Sequence, residues 1–347
     1  MGGHWENSMP DSQNNRASDC VGYLSDFSPQ DKPWDTHKAT NGVVSDTYKL
    51  LGYQKHYTKT SKCARWLIFA LREVEEAEQG NKPKEILKLL FANFCGNRHC
   101  PVCQWRRSMR WRAKFFQMIP KLREDYPDHE FLFLTLTVRN CSVTELRETL
   151  KWMNEAWQRM AQRKSFPAVG WVKSIEVTRG VDGSAHPHFH TVLMVKPSYF
   201  QGKNYLSKQK WWKLWQSCLR VDYEPSIHVG SIKSTYSKFK SKKVENEIAK
   251  GLCETLKYSV KEQDLISDPS WLEHITEQLH GTKAVSVGGL FKKYLPQRKL
   301  EKYSDDDLIH TSDEPKEAKT LDDDPKYRFS WNQEIKRYKC TRYDPST

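Results

Sequence analysis

Two histidines separated by one residue, His188 and His190, sit in HPHFHTVLMV, residues 186–195. The β-branched and apolar run Thr191 to Val195 predicts a strand. Alternate side chains of a strand share a face, so both imidazoles point one way while Phe189 enters the opposite layer. Two imidazoles on one rigid face can seat a divalent metal, and the same pattern also fits two histidines filling a half-buried strand. VGWVKSIEVTR predicts a second strand, joined to the first by a tight turn at Val181-Asp182-Gly183-Ser184. Glu176 then lies on the strand paired with the histidines. There its carboxylate could complete the metal's ligands, orient an imidazole through its second nitrogen, or simply face solvent.

A second constellation is made of thiols. Cys95, Cys100 and Cys103 fall within nine residues, with Cys100-Pro-Val-Cys103 as a knuckle. Cys63 is the candidate fourth ligand and His99 the alternative. Four thiolates make a closed structural Zn²⁺ site, and Gly96 and Pro101 suit the turns that it requires. Directly after the knuckle, Arg106, Arg107, Arg110, Arg112 and Lys114 interleave with Trp105, Trp111, Phe115 and Phe116. This predicts a helix whose charges can lie on phosphates and whose rings can stack on bases. A core-packing helix with a solvated charged face fits equally well.

The third constellation is Glu254, Tyr258 and Lys261. A helix from Lys243 to about Asp264 would put them at i, i+4 and i+7, on one face. Taken alone, that face reads as a solvated stripe.

The surrounding elements predict how these groups are held. Glu130 to Val138 alternates strongly and predicts a central strand. Ser142 and Glu145 form a capping-box signature, ahead of Val143, Leu146, Leu150, Met153, Trp157 and Met160 at helical spacing, which mark a core-facing stripe. SKQKWWKLWQSCLRV predicts a further helix and SIHVGSIKS a further strand. A basic hinge follows at residues 236–243, and residues 285–294 read as a closing segment. Composition narrows the function. A net charge of +13 and a pI near 9.2 point to a polyanionic partner, most simply nucleic acid. The longest apolar run, Trp66 to Leu71, is far short of the roughly 18 residues of a membrane span. No signal peptide precedes it, and nine cysteines, an odd number, fit reduced thiols and metal in the cytoplasm rather than a disulfide framework. The chain shows no GxxxxGK[ST] phosphate loop, so nothing in it suggests an ATP-driven motor.

FCGNRHCPVC, FLTLT (133–137), HPHFHTVL and ETLKYSVK resemble, in order and approximate spacing, the motifs of rolling-circle replication initiator (Rep) proteins of small Gram-positive plasmids. These belong to the HUH endonuclease superfamily. The resemblance runs from about Cys63 to Leu295. It implies an α+β fold, an antiparallel HUH-type sheet flanked by helices, with a cysteine-rich zinc-like segment before it. Composition marks a flexible leader (1–45), rich in Ser, Asn, Asp and Gly, and a charged tail (301–347), both outside the resemblance; between them lie a cysteine-rich, basic zinc and DNA-binding region (46–125) and the endonuclease domain (126–300).

By the same resemblance His188 and His190 hold Mn²⁺ or Mg²⁺, and Tyr258 is the nucleophile that nicks one strand at the double-strand origin. Glu254 matches the branch that keeps a glutamate one turn before the tyrosine, where other branches carry a second tyrosine. His186 lies outside the motif's essential pair. The implied partners are the plasmid origin, its single-stranded nick region, and a host helicase and polymerase. The chemistry is consistent. A phenol has an unperturbed pKa of about 10 and needs help to attack at neutral pH. Lys261 is placed to stabilise the phenolate or the phosphate, and Glu254 to activate the water that ends the reaction. Exchange of one phosphodiester for another needs no ATP. Two competing expectations are a single-tyrosine transposase or relaxase, and a non-enzymatic zinc transcription factor.

Overall fold

The structure, a computed structural model, describes residues 22–74, 84–232, 256, 259–295 and 326–342. The described chain divides into two compact units. Residues 22–36, 64–74, 84–93 and 326–342 make the smaller one. The larger holds His37–Cys63 and the chain from Phe94 onward.

The larger unit is built on a five-stranded antiparallel sheet of order β6-β3-β5-β4-β7. Its strands are β3 (Glu130–Thr137), β4 (Ala168–Arg179), β5 (Ala185–Val195), β6 (Ile227–Ile232) and β7 (Val285–Gly289). The β4–β5 hairpin closes as its sequence predicts. Gly183 takes φ +81°, which favours glycine, and Asp182 accepts the Ser184 N–H at 3.0 Å. Pairing sets Glu176 opposite His188 and Ser174 opposite His190, while Thr135 of β3 faces His190 from the other side.

Strand alternation divides the sheet into two faces. Leu132, Leu134, Leu136, Ile175, Phe189 and Leu193 line one face and join a core with Leu150, Met153, Trp157, Trp211, Trp215 and Trp271. Those residues come from three helices, Leu146–Ala161, Lys208–Leu219 and Pro269–Gln278. The first carries the expected stripe, although Val143 stays outside it in a short 3₁₀ turn capped by Ser142. On the opposite face Phe131, Val172, Val192 and Met194 pack against Phe115, Met118, Ile119 and Leu122 of the helix Pro101–Asp125. The same face carries Glu176, His188 and His190 farther along.

Residues 46–63 and 94–125 of the expected cysteine region, with all four clustered cysteines, share one unit with the five-stranded sheet, while its residues 64–74 and 84–93 belong to the smaller unit. The reason is contact: Tyr48 and Thr276 share a hydrogen bond of 2.9 Å, Arg98 donates to the Thr282 hydroxyl at 2.9 Å, and the Phe115 and Phe291 rings lie 5.9 Å apart. Part of the expected leader is also structured, since residues 33–50 form an 18-residue helix. Its buried residues Trp34, Lys38, Asn41, Ser45 and Tyr48 recur at three- and four-residue steps. Three of the five, Lys38, Asn41 and Ser45, are polar: Lys38 donates to the Cys63 carbonyl, and Asn41 donates to the Thr60 carbonyl at 2.8 Å.

The smaller unit is a four-stranded antiparallel sheet of order β2-β1-β8-β9. It comprises β1 (Trp66–Val74), β2 (Lys84–Ala92), β8 (Lys326–Asn332) and β9 (Arg337–Arg342). The last two fall in the expected charged tail. They form a hairpin because Phe329, Tyr338 and Cys340 turn inward and are buried, while the polar turn 333–336 is exposed.

Candidate metal centres and the adjoining cleft

Two groups of side chains among the described residues could hold a metal ion: Glu176, His188 and His190, and the cysteines 63, 95, 100 and 103. The first is carried by the β4–β5 ladder. The Glu176 Oε2 atom lies 3.3 Å from His188 Nε2 and 2.8 Å from His190 Nε2. The other nitrogen of each ring is engaged elsewhere. His188 Nδ1–H donates to the His186 carbonyl at 3.2 Å, and His190 Nδ1 pairs with the Thr135 hydroxyl at 3.3 Å. Phe133 stacks on the His190 ring at 5.7 Å. Both Nε2 atoms are thus presented to one carboxylate oxygen, the arrangement that a bound cation needs from imidazole ligands. Burial opposes ionisation of Glu176, but hydrogen bonds and charge from His188 and His190 outweigh it and hold its carboxyl far below the usual range. Two nitrogens and one carboxylate suit a borderline to hard divalent ion. His186 stands apart, with Nδ1 2.7 Å from the Asn140 side-chain oxygen.

The sulfur group is closed. Cys63 lies 3.6 Å from Cys103 and from Cys100, and Cys95 lies 3.6 Å from Cys103. Tetrahedral Zn²⁺ with Zn–S bonds of about 2.3 Å requires sulfurs about 3.8 Å apart, so the donor set fits zinc. Cys63, rather than His99, completes it. The N–H groups of Cys95 and Asn97 donate to Cys63 Sγ and Cys95 Sγ, each at 3.4 Å. Gly96 supplies the turn at φ +68°. Hydrogen bonds from Cys100, Cys63 and Cys95 hold the Cys103 thiol well below its ordinary pKa, against burial. Burial and its sulfur neighbours push Cys100 well above. Such a cluster without a cation tolerates little negative charge.

The helix after the knuckle differs from a DNA-facing basic helix at its start. Arg106 is 1% exposed. Arg107 donates to the carbonyls of Gly96 and Asn97 at 2.6 and 3.1 Å, clamping the knuckle loop. Phe115 is fully buried, and only Phe116 of the four rings is exposed. These two arginines and Phe115 build the fold.

Glu254 and Tyr258 lie outside the described residues, as does the basic hinge at 236–243. Their described neighbours correct one expectation. Ser259 accepts a hydrogen bond from Val177 N at 2.9 Å, and Val260 bridges Val177 in parallel. Residues 259–261 are therefore extended, and helix begins only at Glu262. Lys261 is exposed at the N-terminal boundary of that helix, so the expected i+7 face does not reach it. The β-branched, fully buried Val260 wins over helical periodicity. Thr135, set beside His190 by strand register, and Asn140, which meets His186 from the loop after β3, escape a sequence reading because both contacts are made between residues far apart in the chain.

A chain with this antiparallel sheet flanked by helices is an α+β protein, and it carries two side-chain groups that could each hold a metal ion. Residues 86–339 match the family described as "Replication protein". A "Protein rep" of Streptococcus pneumoniae serotype 2 is 32% identical over 296 residues, covering 82% of this chain and 85% of the relative. A "Protein rep" of Lactiplantibacillus plantarum is 33% identical over 293 residues, covering 82% and 87%. A "Replication protein" of Staphylococcus aureus is 32% identical over 232 residues, covering 64% and 95%. No solved structure gives a significant match. The chain belongs to this replication-protein family, the Rep initiators that its motifs resemble. Among the described residues no helix is long and apolar enough to cross a membrane.

Proposed function

We propose that this Rep protein initiates rolling-circle replication by nicking one strand of a plasmid double-strand origin. The observation that carries the reading is the convergence of Glu176, His188 and His190 on one point of a sheet face, in a chain of this family. A bound Mn²⁺ or Mg²⁺ would supply Lewis-acid polarisation of the scissile phosphate. Glu176 contributes the negative charge that favours a cation here, and His186 O and Thr135 fix the two imidazoles. The Tyr258 oxygen forms a bond to phosphorus as the bond to the 3′ oxygen breaks. The phenolic proton is lost and the departing 3′ oxygen gains one. The products are a 5′-phosphotyrosine and a 3′-hydroxyl that primes a host polymerase behind a host helicase. Glu254 activates water, or a returning hydroxyl, when the strand is terminated. In support, Ser259, the covalent neighbour of Tyr258, is hydrogen-bonded next to Glu176 on β4.

Family membership favours this reading over a transposase, a relaxase or a non-enzymatic transcription factor. The test is incubation of supercoiled plasmid carrying the native origin with Mn²⁺, followed by denaturing gels. The wild-type chain gives a nicked circle with covalently attached protein, and Tyr258→Phe gives neither. A persistent adduct in Tyr258→Phe rejects the nucleophile.

A further inference from the structure

Beside the Glu176 group the larger unit holds a cavity of about 690 Å³, within the range of nucleotide-sized sites. Its position is set by two residues. Ser174 lies two places before Glu176 on the same strand face, and Ser259 follows Tyr258; both line the cavity. Its charged lining is of one sign: Lys59, Arg98 and Arg107, with His56 and His280, and no carboxylate among the described residues. Arg98 is anchored through one nitrogen to Thr282, while its Nε and Nη2 have no hydrogen-bond partner.

The most specific feature is Gln104. It lines the cavity, is 5% exposed, and neither Oε1 nor Nε2 of its carboxamide is hydrogen-bonded. A buried amide left unpaired loses its hydration without compensation, so a ligand that satisfies both ends is favoured. The acceptor–donor pair of a glutamine matches the N6 and N7 atoms of adenine. Trp111, on the same helix as Gln104, gives the cavity an aromatic wall on which a base can stack.

We propose that this cavity receives one unstacked adenine nucleotide of the bound single strand, with Gln104 reading the base edge, Trp111 stacking on it, and Arg98 and Lys59 facing the phosphate. The proposal rests on the DNA-nicking reading and names a subsite next to its metal group.

The test measures anisotropy of fluorescein-labelled twelve-nucleotide oligo(dA), oligo(dT) and oligo(dC) with the full chain and no added divalent ion, so that binding is read without cleavage. The wild type should bind oligo(dA) roughly fivefold or more tighter than oligo(dT). Gln104→Leu should bring that ratio to within twofold of unity with oligo(dT) affinity unchanged, and Gln104→Glu should shift preference toward oligo(dC), whose exocyclic amine donates. Trp111→Leu should weaken all three without changing their ratio, which keeps the test decisive if Gln104→Leu does not fold. Absence of adenine preference in the wild type, or its survival in Gln104→Leu, overturns the proposal. The same preparations are run in the nicking assay. Adenine preference without nicking supports the subsite and rejects the catalytic reading, whereas nicking without adenine preference does the reverse.

Discussion

The backbone N–H of Val177 donates to the carbonyl of Ser259 at 2.9 Å, one residue from Glu176 on one side and one from Tyr258 on the other. This bond, with the Val177–Val260 bridge, fastens the segment after the tyrosine to the strand that carries the carboxylate.

Loosening that fastening should therefore reduce cleavage more than DNA binding. Val260 is fully buried, and Val260→Ala is expected to cost roughly 1–2 kcal/mol of stability. The nicking rate should drop at least tenfold while origin affinity stays within a factor of two. Equal losses in rate and affinity would reject a positioning role.

Glu176→Gln keeps the size of the side chain and removes its charge. It should raise the Mn²⁺ concentration needed for half-maximal nicking by roughly tenfold or more. Calorimetric titration of Mn²⁺ into the chain without DNA reads the same loss independently of activity.

The wild-type chain should carry one zinc by elemental analysis. Cys103→Ser should carry none and lose at least about 3 kcal/mol of stability. Because Arg107 and Arg98 fasten the knuckle loop, this variant should also lose binding of single-stranded DNA. A wild-type chain purified without zinc would end the assignment.

Lys173 tests the opposite face of the sheet. It lies 3.8 Å over the Phe189 ring and donates to the Asn154 side chain, and burial lowers its ammonium from 10.5 to about 7. Below pH 7 the folded chain holds a buried charge. Between pH 7 and 10.5 the unfolded chain binds the extra proton, so this residue's contribution to stability rises with pH. Lys173→Met should be more stable than wild type at pH 6–7 by on the order of 2 kcal/mol, with the gap closing by pH 10. Chemical denaturation across that range measures it, and a gap independent of pH would refute it.

The parts of the site held by local chemistry were legible in the sequence. The β4–β5 hairpin declares itself through Gly183 and alternation, so the pattern puts Glu176 on the strand paired with the histidines, and the structure adds the register that sets it opposite His188. The cysteine knuckle is readable from spacing, and Cys63 joins it across 40 residues, 3.6 Å from Cys103. What stayed hidden depends on distant partners. The helix at 33–50 buries Lys38 and Asn41, whose polarity erases the hydrophobic signal. Lys261 loses its expected place because Val260 pairs with Val177, a contact that no local periodicity encodes. The hairpin at 326–342 was hidden because its partner strand lies at the other end of the chain.

That last pairing orders events during synthesis. Strand β1 is made early, yet Leu67 meets Phe329 only after nearly the whole chain has emerged. Until then one side of β1 is an open edge of unpaired N–H and C=O groups, on a strand reading WLIFAL at its start. A ribosome stalled before β8, or a protease that clips the C-terminal hairpin, leaves that edge available to a second nascent chain. The hairpin thus acts as the chain's own late cover against aggregation.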